Sequence, residues 1–419
     1  LLLAVIGAVV VGGVVQWRQV FVAARLYQAR KALHDRDARA AIPTLKSAIW
    51  AMPDHAEAHF LLARAYRRTG DMHQVRVHLE RAWKHGIPQK TIEREEWLAK
   101  AQSGQLREAW PHLSELLIHP GEDGQEICEA YVNGMFLVCR FREAFELLDV
   151  WQAEYPDDSQ PYLFRGRYLS TLSDTKGAAE AYREGLRREP ERVELKVLLA
   201  SCLVDLHEFP EATAILNGLQ PGDREKPAVM GLQCECLLEQ GSIDEAEAVI
   251  QRMLDKDPQH FQARLILARL RFSSGRIKEA LETLEVLTTE FPCNLEVRYQ
   301  YGMALQADGQ PERAAAELEF VQTGREALQE ARRMRELVMK ANVNHIPMRY
   351  EIGKVLLQYE SPEAGAGWLR SVLEYEPAHQ GTHAALADYY RQIGNHRLAE
   401  AHRAQLIGGA PTDEVRPRG

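Results

Sequence analysis

Apolar residues along this chain recur at the three- and four-residue spacing of amphipathic helices, and short polar turns separate the runs. The stretch from Phe261 to Asn294 shows the arrangement in full. Leu265, Leu267, Ala268 and Leu270 define one helix, and Ser-Ser-Gly275 closes it. Ala280, Leu281, Leu284 and Leu287 define a second helix, which runs out at Phe291-Pro292. The pattern predicts helix–turn–helix units and an all-α chain.

The units repeat. Ala144, Ala178, Ala212, Ala246, Ala280 and Ala314 recur every 34 residues, and Ala41, Ala109 and Ala399 hold the same place in flanking units. Pro156, Pro190, Pro258 and Pro292 follow the alanine by twelve residues, with Pro53 and Pro377 equivalent in outlying units. Gly70, Gly104, Gly241, Gly275, Gly309 and Gly394 share the lattice, five residues before the alanine position. Each choice has a physical reason. Glycine tolerates the positive φ of the turn. Alanine lets two helices approach closely. Proline cannot continue a helix yet readily opens the next one.

The 34-residue helix–turn–helix period resembles the tetratricopeptide repeat family. The match is good in Ala63, Tyr66, Gly70 and Ala82, and again in Ala387, Tyr390, Gly394 and Ala399. The resemblance implies a right-handed superhelical solenoid that binds other proteins and has no catalytic role. About nine units fit residues 22–324, and two more fit 346–379 and 380–408. The third and fourth are degenerate, with Trp97 and Val132 where the family prefers a small residue. Between the two blocks, residues 325–345 read as an extra helix and a connection; REALQEARRMRELVMKA has high helix propensity. It is expected either to elongate the preceding second helix or to serve as a docking helix with Arg332, Arg333 and Arg335 exposed. Residues 409–419 read as a disordered tail.

The chain opens on an uncharged run from Leu1 to Val15, followed by Gln16-Trp17-Arg18. A spanning helix needs about 20 apolar residues. With no initiating methionine, residues 1–21 read as the end of a truncated membrane anchor. Trp17 and Arg18 suit the interface where such a helix leaves the bilayer. The rival is the core of a cleaved signal peptide. Resemblance to membrane-anchored bacterial proteins of this family implies a single-pass inner-membrane protein in envelope biogenesis, quality control or secretion. The repeats are expected on the periplasmic side, with the cytoplasmic side open.

Composition narrows the function classes. The chain has 419 residues, a formal net charge of −9 and no concentrated basic footprint, which argues against nucleic-acid binding. Six cysteines form no CxxC pair and suggest neither a zinc site nor a disulfide framework. No phosphate-cradling glycine loop, GxSxG elbow or HExxH motif occurs. His379 and His383, four apart, could face one metal, but no third ligand is evident. No cofactor is expected.

What is left is binding. In the family, positions 2, 5, 9, 12 and 13 of each first helix line the solenoid groove. Carried residue by residue onto this chain, position 9 falls on Arg30, Arg64, Arg167 and Arg269, and Arg67 and Arg68 follow in the second unit. Arginine there suits capture of acidic segments of partner proteins or peptides. Rival readings are a non-catalytic subunit that positions a catalytic partner, and a secreted adaptor.

Overall fold

The computed structural model describes residues 2–340 and 345–407, with side chains described over 16–338 and 345–406. Among these residues there are helices and turns and no strand. The chain divides into two compact units, residues 1–147 and 148–419.

The first unit contains α1 (Leu2–His34) with α2 (Ala38–Ala51), then α3 (Ala56–Thr69) with α4 (Met72–Lys84). α5 (Gln89–Gln102) follows, and its partner is broken into α6 (Leu106–Ala109), a 3-10 turn at Trp110–His112 and α7 (Leu113–Ile118). α8 (Gly124–Leu137) leads to α9 (Phe141–Glu154), which runs across the boundary. The second unit pairs α10 (Gln160–Thr171) with α11 (Thr175–Arg188), and α12 (Val193–Asp205) with a short α13 (Phe209–Asn217). One turn, α14 (Pro221–Arg224), precedes α15 (Pro227–Glu239) and α16 (Ile243–Lys256). The remaining pairs are α17 (Phe261–Ser273) with α18 (Ile277–Glu290), α19 (Leu295–Ala307) with α20 (Pro311–Lys340), α21 (Ile346–Tyr359) with α22 (Pro362–Tyr375), and α23 (Gln380–Gln392) with α24 (His396–Ile407).

The alanine series marks the seam within each pair. Ala144, Ala178, Ala212, Ala246 and Ala280 are fully buried and Ala314 nearly so. A side chain that stops at Cβ leaves the facing helix free to close in. Gly166 does the same on a first helix, where an added Cβ would lie 2.2 Å from the Tyr182 ring. The proline series marks the ends. α2, α9, α11, α16, α18 and α22 each stop two residues before their proline. The intervening residue turns extended, as at Glu189 (φ −126, ψ 81), because proline excludes the helical region from its predecessor.

The turn between paired helices demands a left-handed residue. Gly70, Gly104, Gly241, Gly275, Gly309 and Gly394 supply it, with φ between 74 and 86. Arg36, Cys139, Ser173 and His207 stand at the same place in the other units, with φ of 61, 52, 61 and 60. A left-handed residue other than glycine costs about 1–2 kcal/mol, which burial around the turn must offset. Aspartates follow in several units. Asp37, Asp71 and Asp174 accept from the backbone N–H groups of Ala40, Gln74 and Gly177, capping the second helices.

The stretch beginning at Arg325 continues α20 without a break from Pro311 to Lys340. It packs on α21. Its side chains Ala331, Arg335 and Val338 are buried, while Arg332 and Arg333 are exposed. The expected tail over 409–419 lies outside the described residues. So do the side chains of residues 1–15, which carry most of the expected anchor. Among the described residues no helix is long and apolar enough to cross a membrane.

Ala280 lies among Leu265, Ala268, Leu284 and Leu287. Ala280→Leu should therefore overpack the α17–α18 seam and cost about 1–3 kcal/mol. Thermal melting of the full chain checks this, and an unchanged midpoint would place the seam elsewhere.

Candidate functional site

Three of the six sequence-predicted arginines come together in the first unit, and they face carboxylates. Arg64, Arg67 and Arg68 sit on the last turns of α3. Arg64 donates through Nε and Nη2 to Glu95 Oε2, both at 3.1 Å, and through Nη1 to Asp123 Oδ1 at 3.0 Å. Arg67 donates to Glu95 Oε1, Gln102 Oε1 and Glu126 Oε2, each at 2.6 Å. Arg68 pairs with Glu126 and donates to the Leu33 carbonyl at 2.5 Å. Arg36, on the turn after α1, adds an ion pair to Glu129 at 2.6 Å. Five separate segments thus meet on alternating charges: the turn after α1, α3, α5, the turn before α8, and α8.

The cluster is enclosed. The Arg67 and Glu95 side chains are each 1 % exposed, and those of Arg64 and Arg68 are 16 % exposed. Burial alone would raise the Glu95 carboxyl, but Arg67 and Arg64 outweigh it and hold the group well below the usual carboxylate range. Burial lowers the Arg68 guanidinium to about 10. A shallow cleft of about 280 Å³ beside Arg30, Arg36, Arg64 and Arg68 is walled equally by Glu122, Asp123, Glu126 and Glu129. Here the arginines are committed to the fold rather than offered to an acidic ligand. Sequence periodicity carried no signal for Glu95, Asp123 and Glu126, which belong to the degenerate third and fourth units.

The other three arginines lie outside this network of ion pairs, Arg30 at the edge of the cleft. Arg30 pairs with Glu57 and Arg167 with Glu194, both on exposed surface. Arg269 is exposed on α17, close enough to Glu235 on α15 to lower its pKa. Burial nevertheless raises the Glu235 carboxyl overall, and Asp205 adds to the rise. Gln262 Nε2 donates to Glu235 Oε1 at 2.8 Å. First helices of successive repeats therefore meet along a row of polar side chains.

Each unit also holds a histidine pair that the sequence did not reveal as such. His59 and His78 approach Nδ1 to Nδ1 at 2.9 Å, and His59 Nε2 lies 2.8 Å from the Pro53 carbonyl. In the second unit His383 and His402 repeat the contact at 2.9 Å, with His383 Nε2 at 2.8 Å from Pro377 O. A carbonyl only accepts, so His59 Nε2 carries the proton and its bare Nδ1 accepts from His78. Tyr66 stacks on His78 and Tyr390 on His402. His379 does not turn toward a shared ligand with His383; its Nδ1 caps α23 by accepting from Thr382 N at 3.1 Å. Among the described residues no group of three metal-ligating side chains forms.

The chain contains tetratricopeptide repeats. The Tetratricopeptide repeat profile matches residues 32–86, 172–236 and 237–292. No curated protein matches the sequence. Among solved structures, a tetratricopeptide repeat protein from Parabacteroides merdae is 14% identical, with a TM-score of 0.37 over 80% of this chain and 99% of its own. The PilF protein of Pseudomonas aeruginosa is 14% identical, with a TM-score of 0.34 over 60% of this chain and 99% of its own. YrrB, described as having an unusual peptide-binding site, is 18% identical, with a TM-score of 0.28 over 41% of this chain and 89% of its own.

Two outcomes follow for the charged clusters. Arg67→Ala leaves Glu95 and Glu126 short of a cation in a closed site and should cost about 3–5 kcal/mol. Arg30→Ala and Arg167→Ala, on exposed pairs, should each cost under about 1 kcal/mol. Urea titrations of the three variants decide it, and equal losses would refute the distinction.

Burial lowers the His59 and His402 pKa values and, reinforced by His59 and Arg81, brings His78 down to about 4. Lys46 lowers His78 further, while Asp54 favours the charged form of His59 and His85 opposes it. Arg370 on α22 and His383 lower His402. The folded chain then binds fewer protons than the unfolded chain below pH 6.5, so stability falls from about pH 6.5 toward pH 4. Melting temperatures across that range should fall, and His78→Phe with His402→Phe should flatten the slope. A wild-type midpoint constant over the range would sink the argument.

Proposed function

We propose that this protein is a non-catalytic scaffold that binds partner proteins along the first-helix face of its second unit. Tetratricopeptide repeats generally mediate protein–protein interaction, and the observation that supports this face is the contrast between the two units. In the first unit the α3 arginines Arg64, Arg67 and Arg68 are consumed by enclosed ion pairs. In the second, Ser201, Glu235, Arg269 and Met303 occupy successive ninth positions, and Leu238, Phe272 and Tyr299 lie half-buried beside them. Such a mixture of apolar anchors and polar groups on one rigid face suits recognition of a folded or helical segment. Arg269 remains available for an acidic group there.

Attachment to a membrane through the N-terminal segment is part of the same proposal. Its support is the uncharged run 1–15 together with α1, which is continuous from Leu2, and the exposure of Trp17 at 60% and Val20 at 65%. Fractionation of the full chain against one starting at Ala24 tests it, with the shorter chain expected in the soluble fraction.

Photo-crosslinking tests the binding face. A crosslinker placed at position 235 or 269 should capture partner proteins, whereas one at exposed Val286 on α18 should not. Equal capture from all three positions would show that the face has been misassigned.

A further inference from the structure

The second half of α20 docks on the end of one first helix of this unit, α10. α10 ends at Thr171, and the last carbonyls of a helix have no partner within it. Arg335 Nη1 donates to Thr171 O at 2.9 Å, and Arg332 Nη2 donates to Ser173 O at 2.8 Å. The two sides of this contact are some 160 residues apart in sequence. Guanidinium groups suit the place because a helix C-terminus carries partial negative charge. Arg335 is 3% exposed, so the contact is closed rather than a loose surface pairing. Ala331 and Val338 are buried on the same stripe of α20, at the spacing of one helix face.

The next two first helices end at the same point of the repeat. α12 finishes at Asp205 (205 − 171 = 34) and α15 at Glu239 (239 − 205 = 34). The same left-handed turn follows, at His207 (φ 60) and Gly241 (φ 75). Both carboxylates are exposed, and neither forms a hydrogen bond or ion pair among the described residues. An anion at a helix C-terminus opposes the helix dipole, so each sits where local energetics would place a cation. Burial raises the Asp205 carboxyl, partly offset by His207, which agrees with an anion short of partners. Leu206 and Leu238, both half-buried, flank the carboxylates with apolar surface.

We propose that the ends of α12 and α15 form a docking surface for an arginine-bearing helix of a partner protein, held as the chain's own α20 is held at the end of α10. The proposal rests on the reading of the chain as a partner-binding scaffold and names the class of partner. Arginine fits better than lysine because its planar fork reaches a carboxylate and a neighbouring carbonyl together. An acidic segment would meet Asp205 and Glu239 with like charge and be rejected.

The probe is a fluorescein-labelled peptide with the sequence of residues 324–338, titrated into the full chain by fluorescence anisotropy. Wild-type chain should bind it, and raising the salt should weaken binding because exposed pairs are screened. The double variant Asp205→Asn, Glu239→Gln should bind about five- to tenfold more weakly. These amide replacements remove anions that oppose the helix dipole, so the melting temperature should hold or rise slightly, which verifies folding. A peptide carrying Arg332→Glu and Arg335→Glu should not bind. Equal affinity for wild type and double variant would mean that the peptide only competes with α20 at Thr171, and would overturn the proposal. Absence of binding to wild type would overturn it too. Partners crosslinked through positions 235 and 269 whose capture survives the double variant would leave the scaffold reading standing while this one fails.

Discussion

Close approach of paired helices at one alanine is the constraint from which the architecture follows. A helix pair of this size cannot enclose a core of its own, so each pair buries its remaining apolar face against the next pair. That requirement fixes where the chain must turn and where each helix must stop, and hence the 34-residue spacing. Leu284 and Leu287 illustrate it: both belong to α18, both are fully buried, and they share a cluster with Leu265 of α17 and Val297 and Tyr301 of α19.

Features dictated by local chemistry were legible in the sequence. The alanine seam, the helix ends two residues before proline and the glycine turns all appear where the residue types demand them. The turn series was only partly legible. Arg36, Cys139, Ser173 and His207 adopt the same left-handed geometry without advertising it, because packing around the turn imposes a conformation that these residues tolerate at a cost. The continuity of α20 was legible as helix propensity. Its contact with Thr171 and Ser173 was not, since nothing local encodes a partner so distant in sequence.

The charged cluster shows the same limit. A repeat lattice says which face of a helix a residue takes; it does not say what stands opposite. Arg64 and Arg167 occupy equivalent positions, yet one is locked between Glu95 and Asp123 and the other pairs with Glu194 at the surface. The difference comes from the neighbouring repeats, and in the first unit those are the ones that depart from the family pattern.

That departure gives the buried network a structural reason. In the third and fourth repeats the small residue of the first helix is replaced by Trp97 and Val132. Trp97 is half-buried and stacks on His112 with ring centroids 3.7 Å apart, and Gly134 takes over the close approach, so near the Ala101 carbonyl that an added Cβ would lie 1.8 Å from it. With Trp97 and Val132 in place of small residues, apolar packing alone specifies the register of α5 and α8 against α3 less sharply. The arginines of α3 restore it, because Arg64 and Arg67 must each meet carboxylates from two different segments. Buried ion pairs add little net stability over a packed apolar core, but they penalise every misaligned arrangement that leaves a charge unmatched. The cluster therefore acts on specificity of packing where the first helices lack their small residue. The second unit, where Gly166, Ala200, Cys234 and Ala268 keep the first-helix position small, can leave Asp205 and Glu239 unpaired at its helix ends.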